Sequence, residues 1–306
     1  MKKISIIGAG NVGATCAQRI VEKGYADVVL VDIIEGLPQG KALDIQESAP
    51  VIGFNSRITG TNGYQDTANS DIVVITSGIG RKPGMTRDEL ITTNARIVKD
   101  VVSNVVKHSP GGIIITVTNP VDAMTYLALK VSGFPRERVF GLSGALDGAR
   151  LRTFIALELN VAVSDVFAFT VGEHGENMVV FPRLCTVGGM PLTNLLPAEK
   201  IDQLITRAVK GGAEIVNLLK TGSAFYAPSA AVMQMVEAVV FDKRQVISCA
   251  AYLQGEYGLK DVVLGVPVKL GKNGIEQIVE LDLMAEEMVK LAASAEAVRK
   301  LISVLG

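Results

Sequence analysis

The start of the chain constrains the fold most strongly, because it places a glycine-rich turn between a strand and a helix. Residues 3–8 are largely apolar and β-branched, and Gly8-Ala9-Gly10-Asn11-Val12-Gly13 follows them directly. A helix is predicted from about Asn11 to Lys23, and a second strand, Val28–Val31, ends at Asp32. This order of strand, GxGxxG turn, helix, strand and acid is typical of dinucleotide-binding units.

Each part of the turn has an expected role in holding a dinucleotide. Gly8 permits the tight turn, Gly10 lets the backbone approach a pyrophosphate, and Gly13 lets the helix pack close to the strand. The unpaired N–H groups and the dipole of the helix N-terminus favour that anion. The alternative is a glycine-rich turn that binds no ligand. The expected cofactor contacts at this point are Gly8, Ala9, Gly10, Asn11, Val12, Gly13 and Asp32.

Asp32 also indicates which dinucleotide is preferred. A carboxylate at the end of the second strand can accept hydrogen bonds from the adenosine ribose diol. The same carboxylate repels a 2′-phosphate, and the next residues, Ile33-Ile34, supply no arginine to receive one. The pattern therefore favours NAD over NADP.

The rest of the chain predicts an α/β fold in two parts. In residues 1–144 strands alternate with helices, which indicates a doubly wound parallel sheet of the Rossmann type. Residues 145–306 are expected to form an α+β substrate domain. Its predicted elements include a helix over Ala145–Asn160, a strand over Val166–Val171 and a terminal helix over Asp282–Leu305. A hairpin is predicted around Lys272-Asn273-Gly274.

Composition excludes several classes of function. With 30 basic and 31 acidic residues, no global charge favours nucleic acid or a membrane surface. No stretch approaches the roughly 20 apolar residues of a membrane span. Cys16, Cys185 and Cys249 lack metal-like or disulfide-like spacing, so free thiols in a reducing cytoplasm are expected. A hydrophobic fraction of 48% favours subunit contacts, hence a homo-oligomer, with dimer and tetramer both open.

Two loops are expected beyond the carboxyl ends of the parallel strands, where such sheets bind ligands. The loop Ser77–Arg87 contains three glycines, a proline, Arg81 and Arg87, so it can act as a lid that captures an anion; the alternative is a solvated basic loop. In the second loop Pro120 restricts Asn119 to an extended or turn conformation, which leaves its amide free at a strand end. A plain helix start at Asn119 is the alternative.

The second part of the chain contains the remaining candidates for chemistry. Asp147 and Arg150 are three residues apart on a predicted helix, so they share a face; a surface ion pair is the alternative. His174 is one of only two histidines and lies on a turn between glycines, which suits a general acid/base. A structural histidine is the alternative there, and it is the preferred interpretation of His108 at a helix end.

Together these motifs resemble the lactate/malate dehydrogenase superfamily over essentially the whole chain, and most closely its lactate-dehydrogenase-like malate dehydrogenases. The matching segments are Gly8–Gly13 with Asp32, Arg81–Arg87, Thr118-Asn119-Pro120-Val121-Asp122, Leu146-Asp147-Gly148-Ala149-Arg150 and Gly172-Glu173-His174-Gly175. The resemblance implies NAD-dependent, metal-free interconversion of (S)-malate and oxaloacetate. An L-lactate or broader 2-hydroxyacid dehydrogenase is the rival enzyme, and a non-catalytic NAD-binding sensor is the rival of another class.

The resemblance also implies a role for each site residue. His174 matches the proton acceptor and donor, Asp147 its carboxylate partner, and Arg150 the anchor of the substrate's C1 carboxylate. Arg87 resembles the arginine that polarises the carbonyl, and Arg81 the one that pairs with the second carboxylate of a four-carbon diacid. Asn119 would hold substrate and nicotinamide in register. Further cofactor contacts are implied for Asn94, Val117, Thr118 and Asn119, and the role of Ser223-Ala224 stays open.

Overall fold

The first half of the chain folds around parallel strands. The structure is a computed structural model, and it describes residues 1–80 and 84–305. The strands are β1 (Lys2–Ile7), β2 (Ala26–Val31), β3 (Ile58–Thr61), β4 (Ile72–Ile75), β5 (Ile113–Thr116) and β6 (Val139–Leu142). They lie in the order β3-β2-β1-β4-β5-β6 with every neighbouring pair parallel. The predicted doubly wound sheet is therefore confirmed.

Helices cover this sheet because its strands are apolar on both faces. All four residues of β4 are buried, as are all four of β5 and of β6, which is the pattern of a parallel sheet with both faces covered. The helices are α1 (Asn11–Glu22), α2 (Leu37–Glu47), α3 (Ala49–Ile52), α4 (Arg87–His108) and α5 (Val121–Ser132). The strand order reverses between β1 and β4, so a crevice opens where α1 begins.

A capping box fixes where the Ser77–Arg87 loop ends. The Glu89 N–H donates to Thr86 Oγ1 at 3.1 Å, and the Thr86 N–H donates to Glu89 Oε2 at 2.8 Å. These bonds satisfy N–H groups that a helix start otherwise leaves unpaired. Arg87 consequently lies on the first turn of α4, at the junction of loop and helix.

The second half extends the same sheet. Its helices are α6 (Gly144–Leu159), α7 (Ala198–Leu219), α8 (Tyr226–Val240) and α9 (Ala285–Ile302). Its strands are β7 (Val166–Phe167), β8 (Val171–Gly172), β9 (Met178–Val179), β10 (Thr186–Val187), β11 (Met190–Pro191), β12 (Gln245–Gln254), β13 (Lys260–Gly271) and β14 (Gly274–Ile278). β12 pairs antiparallel with β6, and β13, β8 and β9 follow. The β13–β14 hairpin confirms the predicted turn at Lys272-Asn273.

The sequence prediction of one strand over Val166–Val171 is wrong. β7 belongs to a separate sheet of order β11-β10-β7, whereas β8 pairs with β13 and β9 in the large sheet. Between them the Thr170 carbonyl oxygen accepts a hydrogen bond from Ser248 Oγ at 2.6 Å. The chain thus changes sheets within a run that is apolar except for Thr170, and no glycine, proline or asparagine marks the change.

The terminal helix also starts later than predicted. Met284 has extended dihedrals (φ −68°, ψ 159°), and its N–H donates to Glu287 Oε2 at 2.9 Å. This local bond holds 282–284 outside the helix, so α9 begins at Ala285 and not at Asp282.

Within residues 1–80 and 84–305 no helix is both long enough and apolar enough to cross a membrane.

Candidate active site

The glycine turn after β1 is closed toward the sheet and open toward solvent. Gly8 has φ +112°, and a Cβ there would lie 2.6 Å from Thr76 Oγ1. A Cβ on Gly13 would collide with the Gly8 carbonyl oxygen, whereas a Cβ on Gly10 would meet nothing within 4 Å. Only glycine allows α1 to pack this close to the strand. The open space beside Gly10 fits a pyrophosphate at the N-terminus of α1.

Asp32 lies beside this turn. Its Oδ2 accepts a hydrogen bond from the Ala9 N–H at 2.7 Å, and its Oδ1 accepts one from the Ile34 N–H at 3.0 Å. The carboxylate therefore stands at the end of β2 next to the turn, in a position suited to a ribose diol. Lys41, which sequence reasoning missed, donates from Nζ to the Ala9 carbonyl oxygen at 2.7 Å.

One cleft of about 440 Å³ joins the start of α1 to the His174 turn. Its walls come from both halves of the chain, so it brings together residues that are far apart in sequence. The predicted site residues that line it are Val12, Val117, Thr118, Asn119, Asp147, Arg150 and His174. Ser223 and Ala224, whose role the sequence left open, line it as well.

At the floor of the cleft a carboxylate joins the histidine to an arginine. His174 Nδ1 lies 2.6 Å from Asp147 Oδ2, and Arg150 Nη1 donates to Asp147 Oδ1 at 3.0 Å. Because an ionised carboxylate can only accept, Nδ1 carries the proton and Nε2 keeps its lone pair. The pair predicted from the spacing of Asp147 and Arg150 is thus not a surface ion pair: 5% of the Asp147 side chain and 15% of the Arg150 side chain are exposed.

The surroundings of His174 favour its protonated form. Burial by itself lowers the pKa of the imidazole, but the charge of Asp147 and its hydrogen bond to the ring, together with the charge of Asp122, raise it more. The charge of Arg150 acts in the opposite direction. The net effect raises the pKa of His174 above its usual value, as suits a group that takes up a proton during a reaction.

Arg150 packs against α7. A Cβ on Gly211 would lie 3.0 Å from Arg150 Cδ, and one on Gly212 would lie 3.6 Å from Arg150 Nη2. Arg150 Nε is buried without a hydrogen-bond partner among the described residues. A guanidinium so placed in a cleft fits a carboxylate. The Gly211-Gly212 pair inside a predicted helix was the available signal, because glycine there is otherwise unfavourable.

The loop side of the cleft is arranged differently. Arg87 Nη2 pairs with Glu173 Oε1 at 2.8 Å, and 57% of the Arg87 side chain is exposed. Arg87 does not line the cleft in this structure. Glu173 is 3% exposed, and its other oxygen accepts from Asn177 Nδ2. Arg81, the predicted selector of the second carboxylate, lies outside the described residues.

Asn94 holds two loops together. Its Oδ1 accepts from the Ile79 N–H at 2.8 Å, and its Nδ2 donates to the carbonyl oxygens of Ile79 at 3.1 Å and Asn119 at 2.7 Å. The side chain is fully buried and does not line the cleft. All its described bonds go to protein, and through them it positions the loop beside Asn119. The expected contact of Asn94 with the cofactor stays a prediction.

The remaining predicted residues are distributed as follows. Thr118 is buried, with Oγ1 donating to the Ser77 carbonyl oxygen at 2.6 Å, whereas Asn119 is exposed to the cleft. The Asn119–Pro120 peptide bond is cis. His108 ends α4, at the opposite end of the helix from Arg87.

Asp122 is a site feature that sequence reasoning quoted within a motif but gave no role. It lies in the first turn of α5 and is 1% exposed. Its Oδ2 accepts a hydrogen bond from the His174 backbone N–H at 2.8 Å. Burial raises the pKa of this carboxyl to about 7.

The free thiols of Cys16, Cys185 and Cys249 are buried, and burial raises the pKa of each.

Comparison with known proteins assigns both halves of the chain. Residues 2–141 match the family model described as lactate/malate dehydrogenase, NAD binding domain. Residues 144–304 match the one described as lactate/malate dehydrogenase, alpha/beta C-terminal domain. The chain is 60% identical over 305 residues to a malate dehydrogenase of Dehalococcoides mccartyi, covering 100% of this chain and 99% of that protein.

Solved structures of both enzyme types resemble this one. The malate dehydrogenase of Salinibacter ruber superimposes with a TM-score of 0.95 at 48% identity and covers 99% of this chain and 97% of its own. A lactate dehydrogenase of Cryptosporidium parvum, solved with lactic acid and β-nicotinamide adenine dinucleotide, gives 0.96 at 42%, over 99% and 98%. Backbone similarity alone therefore does not separate the two substrates.

Proposed function

The chain belongs to the lactate/malate dehydrogenase family, and we propose that it is an NAD-dependent malate dehydrogenase interconverting (S)-malate and oxaloacetate. The observation that carries the proposal is the linked set His174, Asp147 and Arg150 on the floor of a cleft that reaches the glycine turn. Full-length identity of 60% to a protein of that name supports the choice of substrate.

The cofactor site is assigned to the turn Gly8–Gly13 with Asp32, in the half of the chain that matches an NAD-binding domain. When bound there, NAD would supply the hydride acceptor for C2 of the hydroxy acid, and NADH the hydride donor for the reverse reaction. The backbone N–H groups of the turn and the start of α1 hold the pyrophosphate. Val117, Thr118 and Asn119 form the wall between this turn and His174.

His174 is assigned the proton transfer. In malate oxidation its Nε2 accepts the proton of the C2 hydroxyl, and in oxaloacetate reduction the imidazolium returns a proton to the carbonyl oxygen. Asp147 fixes the tautomer by accepting from Nδ1 at 2.6 Å and stabilises the charged ring. This division of labour between histidine and carboxylate is general in enzymes that use such a pair.

Three arginines are assigned to the substrate. Arg150 holds the C1 carboxylate through a bidentate guanidinium. Arg87 leaves Glu173 to meet the carbonyl oxygen, where it stabilises developing negative charge. Arg81 pairs with the second carboxylate of oxaloacetate, and with pyruvate its charge would stay buried and unpaired, at a cost of several kcal/mol. No metal is part of this arrangement.

Steady-state rates with oxaloacetate and with pyruvate, each with NADH, test the proposal. We expect oxaloacetate to be the preferred substrate by kcat/KM, because only a diacid pairs with Arg81. A preference for pyruvate would indicate a lactate or broad 2-hydroxyacid dehydrogenase, and no turnover of either would indicate an NAD-binding sensor. NADPH in place of NADH tests Asp32, and equal rates with the two cofactors would contradict its role.

Organisation and location are part of the proposal. We assign cofactor binding mainly to residues 1–144 and substrate binding mainly to 145–306, supported by family matches that end at 141 and begin at 144. We also propose a cytoplasmic homo-oligomer. Exposed apolar side chains on α2 and α3, namely Leu43, Val51 and Ile52, support association, because such patches commonly mark interfaces. Sedimentation of the purified protein distinguishes dimer from tetramer.

A further inference from the structure

Asp122 ties the two halves of the chain together at the reacting histidine. It belongs to α5 of the first half, directly after the Asn119-Pro120 loop, and its Oδ2 accepts from the backbone N–H of His174 at 2.8 Å. The preceding peptide is held from another direction, since the Glu173 N–H donates to Ser294 Oγ at 2.7 Å. Consecutive N–H groups of the turn are thus held by different elements, and only the bond at His174 involves a carboxylate.

The charged groups around Asp122 differ in whether they are already paired. The groups that face it are His174, Glu173 and Asp147. Glu173 is paired with Arg87, and Asp147 is paired with Arg150 and bonded to the imidazole. Asp122 has no ion pair with an arginine or lysine within the described residues, and its Oδ1 is buried there without a partner. The imidazole of His174 is therefore the positive charge that Asp122 can favour.

A buried carboxyl with so few partners is costly to the fold. A charge removed from water without full pairing is destabilising, and an asparagine could accept the same backbone hydrogen bond without a charge. The geometry of the bond therefore does not account for the carboxyl by itself. The charge of the carboxyl, which acts on the imidazole of the same residue whose N–H it binds, does account for it, because a neighbouring negative charge stabilises a protonated ring.

We propose that Asp122 is a positioning residue for His174, whose carboxyl holds the His174 backbone in place and whose charge supports the protonated imidazole. The inference rests on the proposed function, because it assigns a second carboxylate to the same proton-transfer group. Asp147 fixes the ring at Nδ1, and Asp122 fixes the peptide from which the ring projects. Burial raises the pKa of Asp122 to about 7, so its charge is present chiefly above neutral pH.

Two substitutions separate the hydrogen bond from the charge. Asp122→Asn keeps an acceptor for the His174 N–H and removes the charge, whereas Asp122→Ala removes both. We expect Asp122→Ala to lower kcat by about 10²-fold, as misplacement of a reacting group does, with NADH affinity within a few-fold of wild type. We expect Asp122→Asn to recover most of that loss.

The pH profiles give a readout that a purely structural role would not change. Malate oxidation needs neutral His174, so its rate falls on the acid side, and oxaloacetate reduction needs protonated His174, so its rate falls on the alkaline side. Without the charge of Asp122 the pKa of His174 is lower. Both limbs should therefore move to lower pH in Asp122→Asn. Ser294→Ala, which removes the neighbouring uncharged contact, is the matched control and should leave both limbs in place.

The outcomes are separable. Unshifted limbs in Asp122→Asn would overturn the role of the charge, and wild-type kcat in folded Asp122→Ala would overturn the role of the hydrogen bond. If Asp122→Ala does not fold, the kcat and pH profiles of Asp122→Asn decide. Failure of the proposed function looks different, because the wild-type enzyme would then prefer pyruvate to oxaloacetate or turn over neither.

Discussion

The two sides of the cleft differ in how completely they are assembled. On the floor, Asp147 is buried, His174 and Arg150 are partly buried, and both are already bonded to Asp147 at 2.6 and 3.0 Å. On the loop side, Arg87 is 57% exposed and bonded to Glu173, and Asn119 is exposed. Groups proposed for proton transfer and carboxylate binding are thus in place without substrate, whereas the group proposed to meet the carbonyl oxygen is bound elsewhere.

This difference indicates how substrate charge and loop movement are coupled. Departure of Arg87 would leave the Glu173 carboxylate with Asn177 as its one side-chain partner among the described residues. A buried carboxylate that loses its ion-pair partner is destabilised. The proposed movement of Arg87 would therefore be driven by new contacts between arginines and substrate. A diacid offers two carboxylates for such contacts and a monoacid offers one, so we propose that the loop side selects the substrate while the floor carries out the proton transfer.

The largest expected effect lies on the floor. His174→Asn removes the proton acceptor but keeps a polar side chain of similar reach, so turnover should fall by about 10²–10⁴-fold or more. NADH binding should change little, because the glycine turn lies at the other end of the cleft. Steady-state kinetics and NADH fluorescence, which no tryptophan of this chain disturbs, measure the two effects.

His108→Asn is the control for this change, because it alters the second histidine at the end of α4. Its turnover should match the wild type. Full activity in His174→Asn would contradict the assignment of the floor.

The next largest effect lies on the loop side. Arg81→Gln removes the proposed partner of the second carboxylate, which costs roughly 3–5 kcal/mol. The kcat/KM for oxaloacetate should therefore fall by about two to three orders of magnitude. Pyruvate should improve, because the loop can then close without burying an unpaired charge. Rates with both substrates measure the change, and similar losses for both would show that Arg81 does not select.

The sequence could predict the local features of the site but not the contacts between residues that are far apart in the chain. The glycine turn, Asp32 and the spacing of Asp147 and Arg150 are local patterns, and the structure has them as expected. The contacts Asp122–His174 and Arg87–Glu173 join residues 52 and 86 positions apart. No periodicity or turn signal encodes such contacts, because they depend on how α4 and α5 pack against the His174 turn. The pairing of Asp147 with His174 was implied only by the family resemblance.

For the fold as well, the sequence predicted local elements but not how distant elements pair. Apolar runs and glycines predicted β1, α1 and β2 with bounds within about two residues of those observed. They did not predict that β12 would join β6 and extend the sheet into the second half. They also did not reveal the change of sheet between β7 and β8. The pattern of apolar residues along a strand shows which face of the strand is buried, but it does not show which other strand it pairs with.

A smaller effect concerns the stability of the floor. Folding raises the pKa of Asp122 from 3.8 to about 7, so between these values the folded protein binds more protons than the unfolded chain. Stability then falls as pH rises through that window. Asp122→Asn lacks this penalty, and its stability relative to wild type should increase by on the order of 2 kcal/mol between pH 5 and pH 8.

Denaturant unfolding of both proteins at the two pH values measures this change. Asp71→Asn is a control, because the pKa of this more exposed carboxyl is lowered. The group is therefore ionised in both the folded and the unfolded protein at pH 5 and at pH 8, and its removal should change stability equally at the two pH values. A stability difference between Asp122→Asn and wild type that does not change with pH would contradict the raised pKa.

The smallest expected effect tests the link between Arg87 and Glu173. Glu173→Gln keeps the shape and the contact with Asn177 but weakens the hold on Arg87. Because one member of the pair is largely exposed, the interaction is worth about 1 kcal/mol or less, so KM for oxaloacetate should fall by at most about fivefold. Glu287→Gln, which breaks the comparable Arg183 pair away from the cleft, should leave KM unchanged. An increase in KM in Glu173→Gln would mean that Glu173 guides Arg87 toward the substrate and does not hold it away.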